Sequence, residues 1–506
     1  MNPNNVFIGL CFAFMAFTAG LHAQGLVFLP AGEPIEIAPN SYGNKAIRMA
    51  MNATGEPVIA FGTNGHLYVT KWDQAIEEFA EPIEIDPDEN VFMSDAEGPR
   101  LASQGDYVVL TYQLSGQWAT GARSVHSSDG GGTWSEPVAM VPNATEDHFM
   151  PCVGIDDLGN PFAGVKLGNN PATVYEGILR SPDGGATWLD AVNASANADG
   201  NAVCECCPSL PFWAEGRYYD LVRNNNNNLR DFWLMSSGNG ADWDAAIDVD
   251  PLDWMVSSCP ESGPTVTGPV GDSKYLVSFM SAAGASGQSR VYVSQVDLAA
   301  DGGAGAWELT ESVTVSQFEN ATQNVPVLAQ WNGSDGIWIA QPLVALAWEQ
   351  NTGGYDIQLA LSQGSDWNLT DVAQNLTEGW TGQHRRPAVA FSTGDFEEPI
   401  LHIAWQHSSS GTVHYMTGTV GEPSIVICFA QPEPQVVHEA DGIRIHLTEG
   451  WSNARWSVWD ITGRLIASGA YDGYESVWVG NSELPPHAIV SVESPNGARW
   501  AQPIKR

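Results

Sequence analysis

Five cysteines stand in a pattern that could do chemistry. Three of them form a Cys-Glu-Cys-Cys run at residues 204–207, with Cys152 placed 52 residues before the run and Cys259 placed 52 residues after it. Clustered thiolates can hold a soft ion such as Zn²⁺ or Cu(I), whereas cysteines in an oxidising compartment pair as disulfides. We favour disulfides and expect neither a metal nor another cofactor. The bonds are assigned, without a fixed pairing, to Cys152, Cys204, Cys206, Cys207 and Cys259.

Arginine is the second residue type with chemical potential, because cations are scarce. The 506 residues include 20 Lys and Arg against 59 Asp and Glu, a net charge of −39. This balance excludes a protein that binds nucleic acid or anionic lipid through its overall charge. A local group of arginines would instead form a site for an anionic ligand.

The elements that must position these residues are short strands. Hydrophobic residues make up 43% of the chain, which excludes wholesale disorder, and 52 Gly, 31 Pro and 20 Trp favour many strands joined by tight turns. A unit of roughly 52 to 60 residues recurs along the sequence. Its first strands are predicted to begin near Arg48, Arg100, Cys152, Cys207, Gly263, Val325 and Arg386.

Two turns carry the most specific repeated signal. Residues 127–134 (SSDGGGTW) and 181–188 (SPDGGATW) both fit the pattern S-x-D-G-G-x-T-W, 54 residues apart. The Asp accepts hydrogen bonds from nearby backbone N–H groups, Gly permits positive φ, and Trp packs the turn onto its sheet. These turns resemble Asp-boxes, and residues 24–422 resemble the sialidase-like Asp-box (BNR-repeat) β-propellers. The resemblance implies an all-β fold of four-stranded blades around a channel, with these turns on the rim away from the ligand face.

The blade number follows from a repeated strand sequence. Residues 33–39 (EPIEIAP) closely repeat residues 81–87 (EPIEIDP), which read as the fourth strand of the first unit. The first copy is then free to complete the last blade, so that an amino-terminal strand closes the ring. We predict seven blades, with six as the alternative.

The sequences at the two ends of the chain predict that the protein is exported. Residues 1–23 are predicted to be a secretory signal peptide, because an apolar run ends at an A-x-A-like site, and no membrane span is expected in the mature chain. Residues 423–435 read as a linker, and residues 436–506 as a small β-sandwich. Within it, Trp456–Leu465 (WSVWDITGRL), Leu484–Val492 and the basic Lys505-Arg506 resemble a type A sorting domain of the type IX secretion system. That resemblance implies the secretion machinery as a partner, and export or surface attachment in a Bacteroidetes-type bacterium.

The propeller geometry sorts the candidate ligand-binding residues. Loops leading into the first strand of each blade, and loops joining second and third strands, converge on one face of the channel, and eight Arg fall in these two sets. They either form a positive funnel for an anionic ligand or pair with neighbouring carboxylates. The residues predicted to bind ligand are Arg100, Arg230, Arg385, Arg386 and Trp118.

The resemblance to sialidases implies a specific catalytic set. Such an enzyme clamps a sugar carboxylate with three Arg, uses a Tyr nucleophile paired with a Glu, and needs an Asp as acid and base. By position, Arg48, Arg223 and Arg290 are the clamp, Tyr355 pairs with Glu349 or Glu176, and Asp95 is the acid. The expected function is therefore an exported propeller that binds or processes anionic glycans as an exo-α-sialidase-like hydrolase. The alternative is a non-catalytic carbohydrate- or protein-binding adhesion propeller.

Overall fold

A computed structural model describes the chain from residue 26 to residue 505, with gaps. The described ranges are 26–38, 42–63, 65–94, 97–116, 121–142, 145–198, 200, 202–244, 246–257, 260–271, 273–283, 287–298, 307–308, 321–333, 342–363, 369, 373–394, 398–421, 435–439, 442–446, 455–460, 464–470, 477–480, 487–493 and 499–505. The described residues belong to two compact units, Met1–Pro423 and Ser424–Arg506. Among these residues no helix has the length and apolar character needed to cross a bilayer.

The first unit is a seven-bladed β-propeller, which confirms the predicted fold and blade number. Its blades are seven antiparallel sheets that follow one another along the chain. Blade 1 comprises β3 (Lys45–Met51), β4 (Pro57–Thr63), β5 (His66–Asp73), β6 (Glu78–Phe79) and β7 (Ile83–Ile85). Blade 2 comprises β8 (Arg100–Gln104), β9 (Tyr107–Gln113), β10 (Ala122–Ser127) and β11 (Val138–Ala139). Blade 3 comprises β12 (His148–Ile155), β13 (Pro161–Leu167), β14 (Tyr175–Arg180) and β15 (Val192–Asn193).

The remaining blades continue the same order. Blade 4 comprises β16 (Ala202–Val203), β17 (Leu210–Ala214), β18 (Arg217–Asn225), β19 (Phe232–Ser237) and β20 (Ile247–Asp248). Blade 5 comprises β21 (Thr265–Thr267), β22 (Lys274–Ser281), β23 (Arg290–Asp297) and β24 (Trp307–Glu308). Blade 6 comprises β25 (Thr322–Trp331), β26 (Leu343–Asn351), β27 (Tyr355–Gln363) and β28 (Gln374–Asn375). Blade 7 comprises β29 (His384–Thr393), β30 (Pro399–His407) and β31 (Thr412–Gly421), together with the amino-terminal strands β1 (Val27–Pro30) and β2 (Ile35–Ala38). A short 3₁₀ turn spans Ser195–Asn197.

The second strand of each blade is almost entirely buried on both faces. In β4 (PVIAFGT) only the last residue is not buried, and all of β13 (PFAGVKL) is buried. A strand that alternated polar and apolar residues would expose one face to water, but here both faces are covered by the neighbouring blades. The innermost strands are less buried, as in β8, where four residues are intermediate and Gln104 is exposed.

Seven apolar cores hold the ring together, one between each pair of adjacent blades. The core that joins the last blade to the first contains Ile47 and Phe61 from blade 1 and Ala404 and Tyr415 from blade 7. Because these cores form an unbroken cycle, the described residues of each blade pack against both neighbouring blades, and burial of this apolar surface stabilises the whole ring.

Amino-terminal strands complete blade 7, as the sequence predicts. β1 pairs antiparallel with β31 from Val27 opposite Gly421 to Pro30 opposite Gly418, and β2 pairs with the earlier part of β31. The backbone of Phe28 also exchanges two hydrogen bonds with the Gln374 side chain of blade 6, at 3.0 and 3.1 Å. The sheet edge of blade 7 is therefore covered rather than exposed.

The second unit contains two antiparallel sheets. Its strands are β32 (Gln435–Glu439), β33 (Gly442–His446), β34 (Arg455–Asp460), β35 (Leu465–Ala470), β36 (Val477–Gly480), β37 (His487–Glu493) and β38 (Arg499–Lys505). One sheet has the order β32-β33-β36 and the other β35-β34-β37-β38.

Candidate functional site

The innermost strands enclose a channel cavity of about 650 Å³. Arg48, Arg100 and Arg386 lie within the first four residues of their strands, and Glu261 precedes β21. Since the innermost strands of a propeller run in the same direction along its axis, these four residues share one end of the cavity. We call this end, defined by Arg48, Arg100, Glu261 and Arg386, the channel mouth.

The backbone at the channel mouth is irregular in a repeated way. Four innermost strands, β3, β12, β25 and β29, show a register shift near their beginnings. One residue at each of these shifts has a positive φ although it is not Gly, and Glu261, which precedes β21, also has a positive φ. These five residues share the left-handed region. They are Ala46 (52°), Met150 (51°), Glu261 (47°), Val325 (52°) and Arg386 (54°). A bulge re-aims the side chains that follow it, and a non-Gly residue in this region costs on the order of 1–3 kcal/mol, which the surrounding structure must offset.

Three guanidinium groups meet at the channel mouth. Arg48, Arg100 and Arg386 all line the channel cavity. Burial lowers the pKa of Arg48, and the positive charges of Arg100 and Arg386 lower it further, as expected for like charges in one cavity. Arg100 donates to the carbonyl of Pro99 at 3.0 Å. We call Arg48, Arg100 and Arg386 the arginine cluster. Such a concentration of positive charge in an acidic chain is suited to an anionic ligand.

Glu349 anchors one side of this cluster. Its Oε1 accepts from Arg385 Nη2 at 3.2 Å, and its Oε2 accepts from the backbone N–H of Arg386 at 3.2 Å and lies 3.8 Å from Arg386 Nε. The Arg385 guanidinium stacks over the Tyr355 ring, 4.3 Å from its centroid. Glu349 is almost fully buried, and its carboxylate positions two arginines. Among the described residues, no hydrogen bond joins Glu349 to the Tyr355 hydroxyl.

A carboxyl group with an altered pKa lies beside the arginine cluster. Glu97 lines a small pocket with Arg100, Gln113, Cys152 and Pro208. Burial, and after it the charge of Glu261, raises the pKa of Glu97 to about 7. The sequence analysis missed Glu97, and its only sequence signal is a position shortly before the first strand of blade 2. A carboxyl group whose pKa lies near neutral pH can act as a general acid or base.

Buried charges lie behind the mouth, between blades 3 and 4. Lys166 Nζ lies 3.1 Å from Glu176 Oε2, and Ser209 Oγ donates to Glu176 Oε1 at 2.6 Å. All three side chains are buried, as is Asp220, whose pKa burial raises well above its ordinary value. Glu176 is therefore committed to Lys166 and Ser209, and does not pair with Tyr355 in the structure.

The structure does not bring Arg223 and Arg290 to the arginine cluster. Arg223 is fully buried, donates to the carbonyls of Arg230 and Met280 at 3.1 and 2.7 Å, and stacks over Phe232. Arg290 donates to backbone carbonyls, including that of Ala321, and to a Gln side chain. Neither lines the cavity, so of the three arginines of the predicted clamp the structure places Arg48 there, together with Arg100 and Arg386. The predicted residues Asp95, Trp118 and Cys259 lie outside the described residues.

The cysteines differ from the expected set of disulfides. Cys152, Cys204 and Cys207 are free, buried thiols, and Cys206 is disulfide-bonded. Cys204 Sγ lies 3.5 Å from Cys206 Sγ, well beyond the roughly 2.05 Å of a bond, and accepts from Arg230 Nη1 at 3.0 Å. Cys152, Cys204 and Cys207 are therefore unpaired in the structure, and their assignment to disulfides stays a prediction.

Comparison with known proteins assigns no family. No protein-family description matches the chain, and no curated protein matches it. Similar solved structures include a Dyadobacter fermentans protein of unknown function, 12% identical over 78% of this chain and 99% of that one, with a TM-score of 0.42. A polysaccharide lyase described as an ulvan lyase is 11% identical over 76% and 96%, with a TM-score of 0.48. A leech intramolecular trans-sialidase is 10% identical over 79% and 92%, with a TM-score of 0.41. These similarities assign no activity to this chain.

Proposed function

We propose that the protein binds an anionic glycan at the channel mouth through the arginine cluster. The observation that carries this proposal is the meeting of Arg48, Arg100 and Arg386 at one end of a 650 Å³ cavity, in a chain whose net charge is −39. A guanidinium donates two parallel hydrogen bonds to a carboxylate or sulfate, and three of them fix its orientation. The cavity is large enough for a sugar unit.

Cleavage of the bound glycan is a second candidate, favoured by Glu97. With a pKa of about 7 this carboxyl is half protonated at neutral pH, beside Arg100. In such a reaction Glu97 gives its proton to the glycosidic oxygen, and the bond from that oxygen to the anomeric carbon breaks. Glu261 takes a proton from the water that adds to this carbon. A sialidase-like Tyr nucleophile has less support, because Tyr355 stacks on Arg385 and Glu349 is bound to two arginines.

Export belongs to the same proposal. The amino-terminal apolar segment and the sorting-domain-like carboxyl-terminal sequence support secretion, or attachment to the outer surface of a Bacteroidetes-type cell, with the type IX machinery as a partner. An extracellular location would expose the channel mouth to glycans outside the cell. Size analysis of the chain in culture medium and in washed cells of such a bacterium tests this, and a cytoplasmic, unprocessed chain would contradict it.

The binding proposal is tested with an array of acidic and neutral oligosaccharides, followed by calorimetry on the strongest binder. We expect the acidic members, which carry sialate, uronate or sulfate, to bind and their neutral counterparts not to bind. Arg100→Gln should weaken the binding about 10- to 100-fold, the range expected for a charge-assisted hydrogen bond. Arg180→Gln is the matched control, because Arg180 lies on the third strand of blade 3 and donates to the Asn239 carbonyl at 2.6 Å. Equal affinities for the parent and Arg100→Gln would contradict the proposal.

Hydrolysis is tested separately with fluorogenic glycosides of sialic and uronic acids. If Glu97 is the acid, Glu97→Gln should lower turnover at least about 100-fold and leave calorimetric binding within a few fold of the parent. Binding without turnover of any acidic glycoside would retire the hydrolase and leave the non-catalytic binding or adhesion protein.

A further inference from the structure

A buried thiolate lies against a disulfide in the loop between β16 and β17. Cys206 is disulfide-bonded, and its sulfur is 3.5 Å from the free Cys204 sulfur. Cys204 and Cys207 are fully buried, whereas Cys206 is partly exposed. The arrangement places a nucleophilic sulfur at van der Waals contact with an electrophilic one.

The surroundings of Cys204 favour its ionised form. Burial opposes ionisation, but a hydrogen bond from Cys207 and the charges of Arg230 and Arg223 lower the pKa of Cys204 to about 6. Arg230 Nη1 lies 3.0 Å from Cys204 Sγ, and Glu205 holds the same guanidinium at 3.3 Å. The two other free cysteines differ, because burial raises the pKa of both Cys207 and Cys152. The thiolate is the attacking species in disulfide exchange, so Cys204 is the nucleophile of this group.

We propose that residues 204–207 form a thiol–disulfide exchange site, in which the Cys204 thiolate attacks Cys206 Sγ. A bond forms between the Cys204 and Cys206 sulfurs. The bond between Cys206 and its present partner breaks, and its electron pair leaves with the partner sulfur as a thiolate. One disulfide replaces another, so the step needs no oxidant or reductant. Cys207 positions Cys204 through its hydrogen bond and is not consumed.

The exchange is coupled to the channel mouth by position and charge. Pro208, the residue after Cys207, lines both the small pocket of Glu97 and the channel cavity. The charge of Cys204 is one of the groups that raise the pKa of Glu97. When Cys204 enters a disulfide that negative charge is lost, so the pKa of Glu97 falls. The two disulfide isomers are therefore expected to differ in the protonation of Glu97 in the small pocket.

The experiment is a pH jump on the full chain, with acid quenching, alkylation of free thiols at low pH and mass-spectrometric mapping. Trypsin releases residues 181–217 as one peptide that contains Cys204, Cys206 and Cys207. Before exchange this peptide is linked to a second peptide, and after exchange it carries an internal disulfide. We expect both isomers after a jump from pH 4 to pH 8. The exchange should be only about tenfold slower at pH 5 than at pH 8, because a thiol of pKa about 6 is largely ionised at the higher value.

The rate ratio and the variants distinguish this site from ordinary cysteines. A thiol of unperturbed pKa, about 8.5, would exchange several hundredfold more slowly at pH 5 than at pH 8. Cys204→Ser should leave a single linked isomer at every pH, and Cys152→Ser, the matched buried thiol, should exchange like the parent. A single connectivity in the parent at all times and pH values would overturn the proposal. Stoichiometric metal bound to the isolated chain and lost in Cys204→Ser would show a metal site instead and would overturn the proposal as well.

Discussion

The rim turns and the channel mouth of this propeller are built on opposite principles. In the turn at residues 127–134, Ser127 Oγ donates to Asp129 Oδ1 at 2.7 Å and the Thr133 N–H donates to the same oxygen at 2.8 Å. In the turn at residues 181–188, Ser181 and the Thr187 N–H make the same contacts with Asp183 at 3.0 and 2.8 Å. The rim repeats its chemistry as well as its geometry.

The channel mouth repeats its geometry but not its chemistry. The same bulge with positive φ occurs in blades 1, 3, 6 and 7, yet the residues two positions after it, where pairing resumes, differ: Arg48, Cys152, Val327 and Ala388. A repeated turn stabilises every blade in the same way, so its residues indicate the fold. Positions where the blades diverge on a shared backbone supply the individual groups of a site.

The largest effect is expected from the buried ion pair behind the mouth. Lys166→Met leaves Glu176 buried without its cation, and breaking such a pair costs about 3–5 kcal/mol. We expect the free energy of unfolding, measured by urea denaturation with tryptophan fluorescence, to fall by this amount. A second substitution, Glu176→Gln, should recover most of the loss, because it removes the uncompensated charge.

A pair on blade 1 provides the control for this prediction. Lys71 Nζ lies 3.7 Å from Glu56, and both side chains are partly exposed to solvent. Lys71→Met should therefore change the free energy of unfolding by less than about 1 kcal/mol. Equal losses for Lys71→Met and Lys166→Met would show that the charges behind the mouth are not buried as described.

The next effect concerns the pH dependence of ligand binding at the mouth. Because the pKa of Glu97 is raised to about 7, this side chain is neutral below pH 7 and becomes negative above it, beside Arg100. Affinity for an acidic saccharide should be higher below pH 7 and fall about fivefold above it, the equivalent of about 1 kcal/mol between nearby charges. Calorimetry between pH 5 and pH 9 measures the transition.

Two variants decide whether Glu97 causes this transition. Glu97→Gln should make the affinity independent of pH over this range. Glu261→Gln should move the midpoint to lower pH, because the charge of Glu261 contributes to the raised pKa of Glu97. A midpoint that stays at the same pH in both variants would assign the titration to another group.

The architecture could be predicted from sequence because the blades repeat. The predicted first strands begin zero to four residues from the observed ones, with Arg100 matching and Cys152 preceded by a strand that starts at His148. The duplicated strand sequence at residues 33–39 predicted closure of blade 7, since a sheet edge must be covered. These features depend on local sequence patterns that recur, which is why one chain was enough to recognise them.

The site could be predicted only in part, because it depends on long-range contacts. Arg48, Arg100 and Arg386 were expected on the ligand face, but their meeting depends on bulges at residues such as Ala46, where no Gly signals positive φ. The pKa of Glu97 depends on burial and on Glu261, 164 residues later in the chain. No sequence motif signals either the meeting of the three arginines or the raised pKa of Glu97, because both depend on contacts that form only in the folded chain.

The smallest effect is expected at the rim. Asp129→Ala removes the acceptor of the Ser127 hydroxyl and of the Thr133 N–H and hydroxyl, and should lower the free energy of unfolding by about 1 kcal/mol at pH 7. Slight burial of the Asp129 carboxylate raises its pKa, but these hydrogen bonds outweigh that effect and lower the pKa to about 2. The stabilisation is therefore present above the ordinary Asp pKa and is lost as pH falls through about 2.

Asp183→Ala in the second turn provides the comparison within the rim. Its contacts match those of Asp129, so the two variants should lose stability in the same direction and with the same acid dependence, and neither should alter ligand affinity. The turns are 54 residues apart in the chain and belong to different blades, so the losses in the double variant should add. Reduced saccharide binding in either variant, with the fold intact, would mean that the rim takes part in recognition and that the contrast with the mouth is false.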